Sequence, residues 1–244
     1  MIALLRKELA LYFTSPLFYA LAAVFLALGG WFFYTNLSFY VLMGGMNLPL
    51  GFWQFQFFDL RQLLLVLVPL LTMRLFAEER KLGTLELLWT YPLRDVEIIA
   101  GKFLACLTVV GALLLGTGLH PLLVAPHQAV ALGPLAAGYL GLALLGAACV
   151  ACGLFLSALT DSQLIAGAST YGLLLLFWVL TWNEAAVGAG ALRVLKPFSL
   201  FDRFETFALG AIDTRDVSYL VLFTLAFLGF TFLALDSRRW RGLR

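Results

Sequence analysis

Charge is scarce in this chain. Asp, Glu, Lys and Arg make up 12% of its 244 residues, against roughly 25% in ordinary soluble domains. Such a sequence cannot cover a water-facing surface on all sides, which excludes a soluble globular class. Cysteine is limited to Cys106, Cys149 and Cys152, all inside apolar runs, so no disulfide framework is implied. The Cys149-x-x-Cys152 spacing lacks nearby His or acidic residues and reads as small packing residues in a helix. There is no G-x-x-x-x-G-K-[ST] phosphate loop. The single Gly-Lys pair, Gly101-Lys102, precedes Phe103 and lacks the earlier glycine, so the chain does not hydrolyse ATP through that motif. No apolar run carries a central carboxylate: Asp59, Asp161 and Asp236 fall at run ends. That weighs against an ion-coupled secondary transporter and an intramembrane hydrolase, both of which need buried polar groups. With a net charge of only +2 and no basic–aromatic interleaving, a nucleic-acid partner is not implied either.

Apolar length is present in abundance. Hydrophobic residues are 62% of the chain, and a bilayer core of ~30 Å needs about 20 of them in one helix. Six runs qualify, near 16–35, 61–77, 102–125, 134–158, 163–182 and 217–235. The predicted fold is an all-α polytopic membrane protein with six transmembrane helices in a single domain, 1–244. Arg61 and Arg74 flank the short second run, where long side chains reach the headgroups. Arg6 and Lys7 precede the first run as they would in a signal peptide, but that run continues through Trp31, Phe32 and Phe33 without a cleavage site.

The positive-inside rule orients the spans. With a cytoplasmic N-terminus, that side collects Arg6, Lys7, Arg74, Arg80, Lys81, Arg94, Lys102, Arg238, Arg239, Arg241 and Arg244, eleven of sixteen basic residues. Both termini are then cytoplasmic.

Between spans, several segments carry their own pattern. Ile2, Leu5, Leu9 and Phe13 recur at helical spacing, which predicts an amphipathic helix over 2–14 on the inner leaflet. Ser15-Pro16 breaks it and starts the first span. The stretch 36–59 reads as an aromatic interfacial connection with Trp53 at the membrane surface. In the outer segment 183–216, Ser199-x-x-Asp202 resembles a capping box. Leu200, Phe201, Phe204, Phe207 and Ala208 trace one apolar face, and Gly210 is placed to end this short helix. Asp213, Thr214 or Asp216 can start the last span. In the fourth span Ala143, Ala147 and Ala151 repeat every four residues, a pattern that permits close packing. His120 and His127 flank the outer end of the third span and read as exposed interfacial residues.

One stretch concentrates the missing charge: TMRLFAEERKLGTLELLWTYPLRD, 72–95. Arg74 and Glu78 stand at a pairing distance of four. Gly83 breaks the second helix, Thr84 caps a short new one, and Glu86 faces its positive end. Pro92 stops that helix, and Asp95 then caps the third span with Glu97 in its opening turn. Leu85, Leu87, Leu88 and Trp89 would be wasted on a plain loop in water. A partner or the membrane surface covers them.

RKELALYFTSP, TMRLFAEERKLGTLELLWTYPLRDVEIIAGK, GLFLSALTDSQLIA and RFETFALGAIDTRDVSYL together resemble permease subunits of ABC-2 type transporters, most of all the gliding-motility-associated branch. The resemblance spans essentially the whole chain. It implies six spans, an N-terminal surface helix, a cytoplasmic coupling helix between spans 2 and 3, and an outer hairpin before span 6. It further implies a non-catalytic exporter subunit in the bacterial inner membrane. ATP and Mg would sit in a separate ATPase subunit. A second permease half, as homodimer or heterodimer, and an auxiliary extracytoplasmic protein complete the implied assembly, with membrane lipid around it. Candidate ATPase-coupling residues are Glu78, Glu79, Arg80, Gly83, Thr84, Leu85, Glu86 and Leu88. The alternatives are an ATP-independent membrane scaffold or an ion-coupled transporter.

Overall fold

In a computed structural model of the chain, residues 2–42, 51–83, 94–126, 131–182 and 199–241 are described. Among them there are helices and no strands. In chain order they are α1 (Ile2–Thr14), α2 (Pro16–Leu42), α3 (Phe52–Thr72), α4 (Ala77–Lys81), α5 (Asp95–Thr117), α6 (Leu119–Val124), α7 (Leu132–Leu159), α8 (Gln163–Trp182), α9 (Asp202–Ala208) and α10 (Thr214–Arg241). Five stretches are long and apolar enough to cross a membrane, carried by α2, α3, α5 with α6, α7 and α10. A shorter apolar stretch, Gln163–Val179, lies in α8. The chain is an all-α polytopic membrane protein.

α7 is the axis of the bundle, with α3, α5, α8, α9 and α10 all packed on it. Its glycines explain why so many neighbours come so close. A Cβ at Gly138 would clash with the edge of the Phe57 ring of α3, and one at Gly153 would collide with the Thr72 hydroxyl. A Cβ at Gly141 would lie 2.5 Å from Phe207 Cβ on α9, and one at Gly146 would lie 3.2 Å from Val110 of α5. The expected alanine repeat is not the contact face. Ala143 is exposed and Ala147 half-buried, with Ala151 alone of the three buried. Backbone approach needs the glycines, which a four-residue alanine pattern does not mark.

The second span begins earlier than expected, at Phe52 instead of 61, and two of the polar residues of 52–59, Gln56 and Asp59, have partners inside the bundle. Asn36 of α2 donates to Asp59 Oδ2 at 2.7 Å, and Gln56 Nε2 donates to the Gly29 carbonyl at 3.4 Å. Satisfied in this way, amides do not break a helix. Nor is His120 an exposed residue. It is buried, its ring stacks on Phe33 at 4.6 Å and 13°, and Nδ1 lies 3.4 Å from Gln56 Nε2. His127 lies outside the described residues. Among those described, no cluster of His, Cys, Asp and Glu could hold a metal ion, and all three cysteines are buried and free.

α9 forms as the sequence predicts and packs as a plug. Ser199 Oγ accepts the Asp202 N–H at 3.3 Å, and Gly210 at φ +82° ends the helix. Leu200, Phe201, Phe204 and Phe207 are essentially fully buried. Arg61 turns toward this plug rather than toward a headgroup. Its guanidinium lies 4.8 Å over Phe58 and donates to the Phe201 carbonyl at 3.4 Å. α10 starts one turn later with Asp213 Oδ1 accepting the Arg215 N–H at 2.8 Å, while Arg203 of α9 pairs with Asp216 at 2.9 Å.

These packing distances generate a paired test. Gly141→Ala forces Phe207 or the α7 backbone to shift, and overpacking of this kind costs about 1–3 kcal/mol. Gly172→Ala, where a Cβ meets nothing within 4 Å, is neutral or mildly stabilising. Thermal unfolding in detergent should separate them, and equal melting temperatures would refute the glycine contact at α9.

Candidate functional site

The charged stretch is built into the bundle at the end where α1 lies. Helix α3 stops at Thr72, the chain turns through 73–76, and α4 restarts at Ala77. That break removes the expected Arg74–Glu78 partnership. The two residues are not on one continuous helix, and no ion pair joins them. The start of α4 is capped from another helix. Ser157 Oγ of α7 accepts the N–H groups of both Phe76 and Ala77 at 3.1 Å and donates to the Met73 carbonyl at 3.3 Å. A buried hydroxyl thus satisfies backbone donors that helix geometry leaves open.

Two charged side chains of α4, Glu79 and Arg80, then tie it to different neighbours. Glu79 Oε1 meets Lys102 Nζ of α5 at 3.0 Å and Lys7 Nζ of α1 at 3.5 Å. Lys102 is only 1% exposed, and its ammonium also donates to Glu8 Oε1 of α1 at 3.0 Å while sitting 5.2 Å from the Phe76 ring centre. Arg80 donates to the Ala158 carbonyl at the end of α7 at 2.8 Å and pairs with Asp161 at 2.9 Å. Asp161 is well exposed, so water screens that pair; the bond to the carbonyl is the stronger anchor. Glu78 points to a cavity beside α1. Gly83, at φ +68°, ends this segment in a conformation that side chains rarely adopt. Thr84, Leu85, Glu86 and Leu88 lie outside the described residues, as does Pro92.

α1 is positioned by the same cluster. Its packed face is Leu4, Glu8 and Tyr12, flanked by half-buried Leu5 and Leu9, whereas Phe13 of the expected stripe is exposed. The face is rotated because Glu8 finds Lys102, a pairing that apolar periodicity does not count. Leu4 packs onto Gly101, where a Cβ would stand 3.0 Å from its Cδ2. Tyr12 donates to the Leu71 carbonyl at 2.9 Å, and burial pushes its phenol well above the ordinary value, so the donor proton stays in place. The N-cap of α5 is Arg94, one residue before the expected Asp95, with the Glu97 carboxylate accepting the Arg94 N–H at 3.1 Å.

Of the expected residues, Glu79, Arg80 and Gly83 are therefore held in one braced unit, and Glu78 lines the cavity beside it. Sequence reasoning missed Glu8, Lys102, Ser157 and Asp161 as parts of that unit. Glu8 had a signal, being the only acidic residue before Asp59, and so had Lys102, a lone cation one to two turns inside an apolar helix. Ser157 had none, since a serine near a helix end usually serves its own chain.

A family model described as "ABC-2 family transporter protein" matches residues 2–238. No curated protein matches the chain.

The cluster predicts an asymmetric mutational response. Lys102→Met leaves the Glu8 and Glu79 carboxylates buried without their main cation, which costs about 3–5 kcal/mol. Adding Glu8→Gln to it should recover a measurable part of the loss. Unfolding in detergent reads both, and a double variant no more stable than Lys102→Met would contradict the pairing. Ser157→Ala strands two backbone donors and is expected to lower stability by about 1–3 kcal/mol.

Proposed function

The chain belongs to the ABC-2 transporter family, and from that premise we propose that it is the transmembrane permease subunit of an exporter driven by a separate ATPase subunit. The membrane-permease part of this reading follows from the family match; the coupling to ATP hydrolysis and the outward direction are the proposal. One observation carries it: α4 is braced to three other parts of the bundle by buried or half-buried polar bonds. A force applied to the segment that leaves Gly83 is transmitted through α4 to α1 and α5 by Glu79, and to the axial helix α7 by Ser157 and Arg80. A solvated topology-setting charge cluster would not need those bonds.

In this reading the ATPase holds ATP and Mg and docks on Gly83 to Tyr91, with Leu85 and Leu88 as apolar anchors and Thr84 and Glu86 at the helix start. Glu78, Glu79 and Arg80 orient it. Two permease halves, identical or merely similar, face each other, and an auxiliary extracytoplasmic protein completes the assembly. The chain lies in the bacterial cytoplasmic (inner) membrane with both termini inside, so α9 faces outward. Exposed large apolar residues along α10, among them Leu222, Leu225 and Leu233, leave broad surface for lipid or for the second half.

The coupling test uses a double variant. Glu86→Lys reverses charge at a helix start, of order 1 kcal/mol, and Leu88→Ala removes an anchor worth about 1–3 kcal/mol at a docked interface. Membrane insertion should be normal, while recovery of the ATPase in gentle detergent, or its ATP turnover after reconstitution in lipid, falls sharply. Undiminished recovery and turnover would overturn the assignment. An assembly that contains no ATPase at all would favour a scaffold. Topology is tested separately at Ile212, which is 56% exposed: Ile212→Cys in a cysteine-free chain should react with an impermeant reagent from outside the cell.

A further inference from the structure

Beside the buried cluster, a cavity of about 340 Å³ opens between α1, the turn after α3, and α4. Six charged residues line it, and their signs cancel: Lys7, Arg74 and Lys102 against Glu8, Glu78 and Glu79. Four of these are already used, Lys102 and Lys7 with Glu8 and Glu79. Two are left over. Among the described residues Arg74 makes no ion pair, and its Nε is buried without a hydrogen-bond partner. Glu78 likewise makes no ion pair among the described residues. The break between α3 and α4 keeps the two from neutralising each other although they share the cavity.

An orphaned, half-buried guanidinium nitrogen is costly unless an acceptor reaches it. The missing acceptor must bring one negative charge for Arg74, and the lining as a whole stays neutral only if one positive charge accompanies it near Glu78. The cavity also has an apolar exit. Leu11 and Leu82 on its rim are exposed, at 54% and 67%. Tyr12 and Arg74 are shared with an adjoining shallow groove whose other walls include Ser15, Leu17, Phe18 and Leu71. The groove is small, about 20 Å³, and lies at the α1–α2 corner, where an acyl chain would leave the head space. Polar head space, opposite unmatched charges and a small adjoining apolar groove describe one ligand class.

We infer that this cavity is a binding site for a zwitterionic phospholipid, its phosphate on Arg74, its headgroup ammonium on Glu78 and an acyl chain along the Ser15–Phe18 groove. Arg forms bidentate, charge-assisted bonds to phosphate oxygens, and a primary ammonium suits the carboxylate better than a bulky quaternary one because it can donate hydrogen bonds. Phosphatidylethanolamine is therefore favoured over phosphatidylglycerol, whose neutral glycerol would leave Glu78 without a cation while its phosphate adds a net negative charge to the cavity. A lipid seated there would lie against α1 and α4 together, so the inner face of the braced unit would be partly made of lipid. The inference does not depend on the ATPase and would stand if the coupling reading fell.

Native mass spectrometry of the delipidated full chain, with defined lipids added back, tests it. Wild type should retain one phosphatidylethanolamine in preference to phosphatidylglycerol. Arg74→Gln should weaken both by about tenfold, the scale of a lost charge-assisted bond. Glu78→Gln should abolish the preference while phosphatidylglycerol binding is kept or improved. Ser15→Trp, which fills the groove while leaving both charged side chains present, should weaken lipid binding and so keeps the test decisive if Arg74→Gln unfolds. Soluble glycerophosphoethanolamine at the same concentration should not displace the lipid. Preference for phosphatidylglycerol in wild type, unchanged retention in Arg74→Gln and Ser15→Trp, or equal competition by the soluble headgroup would each overturn the inference.

Discussion

The Lys102 ammonium sits in the apolar end of a helix bundle, and much of the α1 end follows from the need to neutralise it. An isolated buried ammonium is prohibitively costly. Glu8 can reach it only if α1 lies flat against α5, which in turn requires that Gly101 present no side chain to Leu4. Glu79 reaches it from α4, which restarts at Ala77 after α3 ends at Thr72. One charge thereby sets the angle of the surface helix, the break in the second span and the exit direction of the segment beyond Gly83. A methionine in its place would fill the volume but would specify none of these.

The rest of the bundle is organised around α7 by absence of side chains rather than by charge. Its glycines let Phe57, Val110, Thr72 and Phe207 approach the backbone from different directions, so one helix can serve as the common wall for the plug at one end and the charged unit at the other. Close packing of this kind moves as a body. Displacement of α4 relative to the end of α7, through Ser157 and the Ala158 carbonyl, would accordingly be felt along the axis, including at α9. The polar set of Asn36, Gln56, Asp59 and His120 at the opposite end joins α2, α3 and α6 by hydrogen bonds instead, which makes that end rigid without the strong long-range pull of a buried ion cluster.

The two ends also differ in what they leave unsatisfied. At the α1 end the ion pairs close on each other except for Arg74 and Glu78. These two are held apart by the same α3–α4 break that the Lys102 cluster imposes. The cavity thus adjoins the buried lysine: Glu79 pairs with Lys102 while Glu78, one residue before it, lines the cavity with Arg74.

Several features were legible in the sequence because they depend on local rules. Long apolar runs must be helices in a bilayer, so the helical class and the fourth and fifth apolar helices were read almost to the residue. The αL glycines Gly83 and Gly210 were equally local, as was the apolar face of α9, whereas the helix is capped at Phe201 and Ser199 only accepts the Asp202 N–H before it. What the sequence could not decide is which polar residues would be inside. Gln56, His120, Glu8 and Lys102 look like surface residues to any reading based on transfer from water, and each is buried because a partner 27 to 94 positions away completes it. The start of α3, the rotation of α1 and the early end of the second span were misplaced for that single reason. A hydrogen-bond or ion-pair partner distant in the chain cancels the cost of burial, and only the tertiary structure brings the partner within bonding distance.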